Sequence, residues 1–209
     1  MRAGAPAAFA FETERLRLRP LEAGDEALFV GLYSDPETMR YIGEPLSPER
    51  AVRSFRKAVT SWSDDPLERA FLTVLDKISR RPLGICAIVQ FEANMSRAEV
   101  GIMLKSDASG RGYAREGLGA LVRQAFGRLP VEEIWVQCSA RNPVVERMVS
   151  SIGFTLCDAT VDGDGSLAQR IWSVSRASGV MCDELHRSAD CETWCRPGSN
   201  ANYKVEKPC

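Results

Sequence analysis

Two glycines and two arginines, Gly110, Arg111, Gly112 and Arg115, fall close together in the stretch S-G-R-G-Y-A-R-E-G. Glycine lets a backbone approach a ligand closely, and the unpaired N–H groups of a first helical turn point at negative charge. The arginines bring positive charge to the same end. This is anion-binding chemistry, and a phosphate is the natural occupant. Neither common nucleotide signature fits. A P-loop needs G-x-x-x-x-G-K-[ST], and no Lys-Ser or Lys-Thr follows a glycine at that spacing. The dinucleotide fingerprint G-x-G-x-x-G fails because Arg115 stands where its third glycine belongs.

Such a loop needs a strand to deliver it and a helix to receive it. Residues 98–104 are rich in β-formers and short enough for a buried strand, and 105–111 are polar. Beyond them Leu118, Leu121, Val122, Ala125 and Phe126 recur at the spacing of one helix face. Upstream, 14–20 alternates leucine with arginine as a half-buried strand. Residues 21–34 carry Leu28, Phe29 and Leu32 at helical spacing, and 37–45 reads as a loop. Ser47, Pro48 and Glu49 open a helix with Val52, Phe55, Val59 and Trp62 on one face, broken at Asp64-Asp65-Pro66. Strands are expected at 70–76 and 83–91. Downstream come a strand at 133–139, a helix capped by Asn142 and running through Ser151, and strands at 154–159 and 167–175 around a turn at 162–165. The order β-α-α-β-β-β-α-β-α-β-β makes an α/β sandwich with a mostly antiparallel sheet. The strands flanking the crossover helix must run parallel.

Composition sets outer bounds. The 209 residues suit one domain with an appendage, and 44% hydrophobic with 26% charged residues is ordinary for a soluble globular protein. A net charge of −1 argues against nucleic-acid binding by bulk electrostatics, and no apolar run reaches the length of a membrane span. The amino-terminal residues imitate a signal peptide only faintly, because the first strand follows almost at once. Cys86, Cys138 and Cys157 sit in apolar patterns that suggest reduced core thiols, so a cytoplasmic location is expected.

With these elements in place, S-G-R-G-Y-A resembles the acetyl-CoA pyrophosphate loop of the GNAT acetyltransferases, [QR]-x-x-G-x-[GA], with Ser109 where Gln or Arg is usual. R-L-R-L-R-P-L-E-A-G-D, S-D-P-E-T-M-R-Y-I-G and N-P-V-V-E-R-M-V-S-S-I-G-F are similar to segments of the subfamily that includes ribosomal-protein N-terminal alanine acetyltransferases. Val145 replaces a usual serine there. The resemblance covers roughly residues 12–175 and implies a mixed, mostly antiparallel twisted sheet flanked by helices, with the parallel pair around the cofactor site.

It also implies chemistry. An amine attacks the acetyl thioester of acetyl-CoA directly, so the protein must orient both reactants, accept a proton and polarise the carbonyl. The pantetheine arm is expected along the backbone of Ile102, Met103 and Leu104, where the family's strand carries a bulge. The pyrophosphate is expected on Gly110, Arg111, Gly112, Tyr113, Ala114 and Arg115. Tyr113 either packs on the cofactor or covers the sheet; the two arginines either touch phosphate or are solvated. Asn142 is a helix cap with a second role at CoA. Glu99 is the candidate base, against the alternatives of a solvent-facing glutamate or a partner of Arg97. No tyrosine lies in 155–175 to act as general acid, which leaves Ser139, Ser150 or a water. The acceptor is a protein N-terminus or a small amine; a non-catalytic acyl-CoA-binding module is the alternative. A monomer or homodimer is expected, without nucleic-acid or membrane partners.

The domain boundary is set at 176/177. Residues 177–209 hold four of the seven cysteines with little apolar periodicity and are expected to be poorly ordered. Cys182, His186, Cys191 and Cys195 are zinc-compatible ligand types, but their spacing matches no common finger, so no metal site is assigned.

Overall fold

The computed structural model describes residues 9–61, 69–92, 96–161 and 167–178. Trp62, the expected break at Asp64-Asp65-Pro66, the turn at 162–165 and the tail beyond Ser178, with its four candidate zinc ligands, lie outside them.

Among the described residues eight strands form one sheet: β1 (Phe11–Glu12), β2 (Leu16–Pro20), β3 (Ala70–Asp76), β4 (Pro82–Glu92), β5 (Arg97–Leu104), β6 (Glu133–Ser139), β7 (Thr155–Val161) and β8 (Leu167–Ser175). Their order is β1-β2-β3-β4-β5-β6-β8-β7, and every neighbouring pair is antiparallel except β5–β6. Among the described residues five α-helices cover it: α1 (Glu26–Ser34), α2 (Pro36–Met39), α3 (Pro48–Thr60), α4 (Tyr113–Arg128) and α5 (Pro143–Ile152). α4 is the crossover that makes β5 and β6 parallel. None of the described helices is long and apolar enough to cross a membrane.

Strand alternation divides the core in two. Leu16, Leu18, Leu72, Val74, Ile88, Ala98, Val100, Ile134 and Val136 point to one face, where Leu118, Leu121, Val122 and Ala125 of α4 meet them. Phe71 and Ile85 point to the other, under Phe29, Leu32, Phe55 and Ala58 of α1 and α3. Phe29 is the hub of that layer, with ring centroids at 4.4 Å from Tyr33 and 5.6 Å from Phe55. Each such fully buried side chain contributes roughly 1.5–3 kcal/mol.

Local details depart from the sequence reading. β2 starts at Leu16 because Thr13 turns the chain back: its N–H donates to the Leu16 carbonyl (2.9 Å) and its hydroxyl accepts from the Leu16 N–H (3.0 Å). Helix α1 begins only at Glu26, after a 3-10 turn at Ala23–Asp25. Part of the expected 37–45 loop is α2, capped by Asp35, which accepts from the Thr38 N–H at 3.0 Å. The buried face of α3 is Ala51, Ser54, Phe55 and Ala58, shifted from the one expected. Cys86 and Cys138 are buried, but Cys157 is exposed on edge strand β7, so it is not a core thiol.

Asp25 anchors the start of the fold. It is 7% exposed and accepts from Arg19 at 2.7 and 2.9 Å, Thr73 at 2.7 Å and the Glu22 N–H at 2.9 Å. Burial pushes its carboxyl up, but these donors outweigh burial and hold it below the ordinary range. Asp25→Ala is expected to lower unfolding stability by about 2–4 kcal/mol in urea titration, because it strands the half-buried Arg19 charge. The Asp25 contribution is present above the carboxyl's ordinary 3.8 and is lost as pH falls through the depressed native value.

Candidate functional site

The parallel ladder between β5 and β6 is short. Its register pairs are Arg97↔Glu133, Ala98↔Ile134 and Glu99↔Trp135, and there it stops. Each strand stays paired on its outer side: β5 with β4 through Leu104, and β6 with β8 through Ser139. The sheet therefore splits beyond Glu99, with 100–104 as one wall and 136–139 as the other. Backbone groups facing a split of this kind need an outside partner. The expected bulge near Ile102–Leu104 is absent: β4 and β5 run one to one from Val89↔Glu99 to Gly84↔Leu104, and the register shift falls between Val89 and Glu92. From Glu99 to Leu104 the outer pairing of β5 is regular, and the register shift lies just before it, where the β5–β6 ladder ends.

Ile102 and Leu104 pack into the α4-side core, whereas Met103 packs on the α1–α3 side. Glu99 and Gly101 alternate onto the same side as Met103. A methyl group built on Gly101 would meet no atom within 4 Å, so the floor beside Glu99 is open. Burial pushes the Glu99 carboxyl up to about 7. Arg97 does not serve it, because the Arg97 guanidinium pairs with Glu133 at 2.8 Å. A carboxylate poised near neutrality over open space can accept a proton from an incoming group.

The second half of the site is the entry to α4. A 3-10 turn, Ser106–Ala108, leads into Gly110 and Gly112, both in the left-handed region at φ +74° and +79°. That conformation favours glycine at both positions. Gly112 occupies the N-cap position and has no side chain to cap the first turn, so the N–H groups of Tyr113, Ala114 and Arg115 stay available. Arg111 and Arg115 are exposed and form no ion pair among the described residues. Tyr113 is partly buried against the core, with the Arg15 guanidinium 4.7 Å from its ring centroid, which favours the sheet-covering role. Helix α4 can lie this close to the sheet because of Gly117, where a Cβ would meet Ile102 Cδ1 at 3.1 Å and Leu16 Cδ1 at 3.3 Å.

Asn142 caps α5, accepting from the Val145 N–H at 3.3 Å. Val145 is packed against the main core, which explains an apolar residue there. Of the candidate proton donors, Ser139 ends the β6 wall, while Ser150 is exposed in the last turn of α5, on neither wall. Sequence reading missed Thr13, Arg15 and Glu116, which meet at the mouth of the loop: Glu116 accepts from Thr13 Oγ1 at 2.5 Å and from Arg15 Nε at 2.7 Å. They are about a hundred residues apart, and no local pattern links them.

The arrangement fits a ligand with an extended polar arm and a pyrophosphate: the split offers strand-like partners to the arm, and the α4 entry offers N–H groups to the anion. A family model described as the acetyltransferase (GNAT) domain matches residues 15–155. A Bacillus licheniformis protein named uncharacterized N-acetyltransferase p20 is 26% identical over 144 residues, covering 68% of this chain and 80% of its own. A crystal structure of spermidine N-acetyltransferase from Vibrio cholerae, in complex with CoA and spermine, superposes with a TM-score of 0.70 at 19% identity, over 79% of this chain and 98% of that one. A GCN5-related N-acetyltransferase from Brucella melitensis gives a TM-score of 0.67 at 20% identity, over 84% and 82%.

Proposed function

Because this chain belongs to the GNAT acetyltransferase family, we propose that it moves the acetyl group of acetyl-CoA to a primary amine, with Glu99 as the proton acceptor. It is an acyltransferase and its acyl donor is acetyl-CoA. The observation that carries the finer reading is Glu99 itself: a carboxyl pushed up to about 7, at the last paired position before the sheet splits, beside the open floor over Gly101.

When bound, acetyl-CoA supplies the acetyl group as an activated thioester. The walls 100–104 and 136–139 would hold its amide arm through backbone groups, with Ile102, Met103 and Leu104 on one side. The N–H groups of Tyr113, Ala114 and Arg115, entered through Gly110, Arg111 and Gly112, would hold its pyrophosphate. An amine reaches the site protonated at neutral pH, so Glu99 must be ionised to take that proton before attack. Ser139, or a water near it, is the group available to return a proton to the departing sulfur. Asn142 fixes the start of α5 behind the β6 wall. Residues 1–176 form the catalytic unit in this reading, and 177–209 an extension. We place the protein in the cytoplasm, as its buried free thiols Cys86 and Cys138 suggest.

Two acceptor classes follow from the resemblances. The likeness to ribosomal-protein N-terminal alanine acetyltransferases points to a peptide N-terminus; a relative named spermidine N(1)-acetyltransferase from Vibrio cholerae, 23% identical over 140 residues, points to a polyamine. Both are primary amines. The test is calorimetric titration with CoA, then an acetylation screen of polyamines and Ala- or Ser-initiated peptides, read by thiol release. Micromolar CoA binding with turnover of one class is the expected result. CoA binding with no turnover would favour the non-catalytic alternative, which the absence of tyrosine from 155–175 supports. No CoA binding would overturn the reading.

A further inference from the structure

From the contacts around Arg15 we infer that Arg15 and Glu116 are positioning residues for the pyrophosphate site, an inference that rests on the acetyl-CoA reading above. Arg15 sits in the turn between β1 and β2, and its guanidinium makes three kinds of contact at the entry to α4. Nε and Nη2 each lie 2.7 Å from Glu116 Oε2, and Nη1 donates to the Arg111 carbonyl at 3.0 Å. The Arg15 Cζ lies over the Tyr113 ring, and Nη2 is the atom a Cβ on Gly112 would meet, at 3.3 Å. The other Glu116 oxygen accepts from Thr13 Oγ1 at 2.5 Å and from the Arg15 N–H at 2.9 Å. Four donors thus hold one carboxylate in the first turn of the helix.

Two consequences bear on a bound anion. In a trans peptide the C=O and the following N–H point in opposite directions. Arg15 holds the Arg111 carbonyl, so the Gly112 N–H points away from Arg15. The second consequence is electrostatic. A carboxylate at the positive end of a helix opposes any phosphate placed there, and Arg15 cancels that charge. Burial would raise the Glu116 carboxyl, but the Thr13 and Arg15 donors outweigh burial and keep it ionised, below its ordinary range. The cluster is therefore charge-neutral, and the exposed Arg111 and Arg115 remain unopposed.

A purely structural ion pair would have a different signature. α4 is already fixed to the sheet by Leu118, Leu121, Val122 and Ala125, all essentially inaccessible. Arg15 is 44% exposed, and exposed ion pairs contribute little to stability. Its removal should therefore disturb the loop more than the fold.

The experiment compares the full chain with Arg15→Gln, Arg15→Lys and the double variant Arg15→Gln/Glu116→Gln. CoA affinity is read by calorimetry, melting temperature by circular dichroism, and KM and kcat with acetyl-CoA. Arg15→Gln should weaken CoA binding about 10–30-fold, on the scale of a lost charge-assisted hydrogen bond. KM for acetyl-CoA should rise in parallel, with kcat at saturation and the melting temperature nearly unchanged. The double variant should bind CoA more tightly than Arg15→Gln alone, because the uncompensated carboxylate is gone. Arg15→Lys keeps the charge but not the fork, and should fall between wild type and Arg15→Gln. Should Arg15→Gln fail to fold, the lysine variant carries the test. Unchanged CoA affinity in these variants overturns the inference. So does a double variant no tighter than the single one, which would make Arg15 a direct phosphate ligand. Wild-type protein that binds no CoA overturns the functional reading itself, a result visible before any variant is made.

Discussion

Glu99→Gln is expected to lower kcat/KM for the true amine about 10²–10⁴-fold, the range of a positioned general base, while CoA affinity stays near the wild-type value. The amide keeps the shape of the carboxylate but cannot accept the ammonium proton. The pH dependence carries the sharper signature. Activity of the wild type should climb as the carboxyl ionises through about 7 and level off above it. The variant should lose that limb. Stability runs the other way. Burial raises the folded-state carboxyl from 4.5 to about 7, so between these values the native state keeps a proton that the unfolded chain has lost. The stabilising contribution is complete below 4.5 and is lost as pH rises through about 7. At pH 8 Glu99→Gln should therefore be more stable than wild type, by about 2–3 kcal/mol in urea titration. Lower activity with higher stability would mark Glu99 as a residue kept for chemistry. Equal activity would remove it from the mechanism, and a loss of both would mark it as structural.

The second large effect is at the helix entry. Gly112→Trp should weaken CoA binding more than ~100-fold, because an indole over the first turn occupies the space its N–H groups face. Two costs act together. The φ of +79° is strained for any side chain, by about 1–2 kcal/mol. The new Cβ also starts 3.3 Å from Arg15 Nη2. Gly112→Ala pays the strain but leaves the anion space open, and the end of Arg15 can shift, so its loss should be several-fold only. The contrast between alanine and tryptophan in calorimetry separates strain from obstruction. A tryptophan variant that bound CoA normally would move the pyrophosphate elsewhere.

Much of this architecture is legible in the chain because it rests on local patterns. The α4 face follows from Leu118, Leu121, Val122 and Ala125 at helical spacing, and the parallel β5–β6 pair follows from the crossover between them. Gly110 and Gly112 announced a backbone that only glycine adopts readily. The position of Glu99 opposite Trp135, where pairing ends, could not be read, because the end of a ladder depends on how two distant strands twist apart. The Arg15–Glu116 contact spans 101 residues, and Arg15 looked like one arginine among three in an alternating strand. Gly117 has no reason in the local pattern; its closeness to Ile102 and Leu16, across the helix–sheet contact, supplies one. Cys157 was misread because edge strand β7, with apolar residues in its sequence, is exposed along its whole length.

The sheet order has a temporal consequence. β8 is the last described strand in the chain, yet it lies between β6 and β7, in register with β6 from Ser175 to Gln169 and with β7 from Ser173 to Leu167. During synthesis β6 and β7 are complete before their shared neighbour exists, so β7 cannot finish its pairing until Ser173, nor β6 until Ser175, has left the ribosome. The β6 wall of the split must therefore wait for β8, while β5 and β4, adjacent in the chain, can zip up early. Non-local pairing of this kind is slow relative to hairpins. The cofactor cleft is thus born asymmetrically, one wall able to pair early and the other only after β8 arrives.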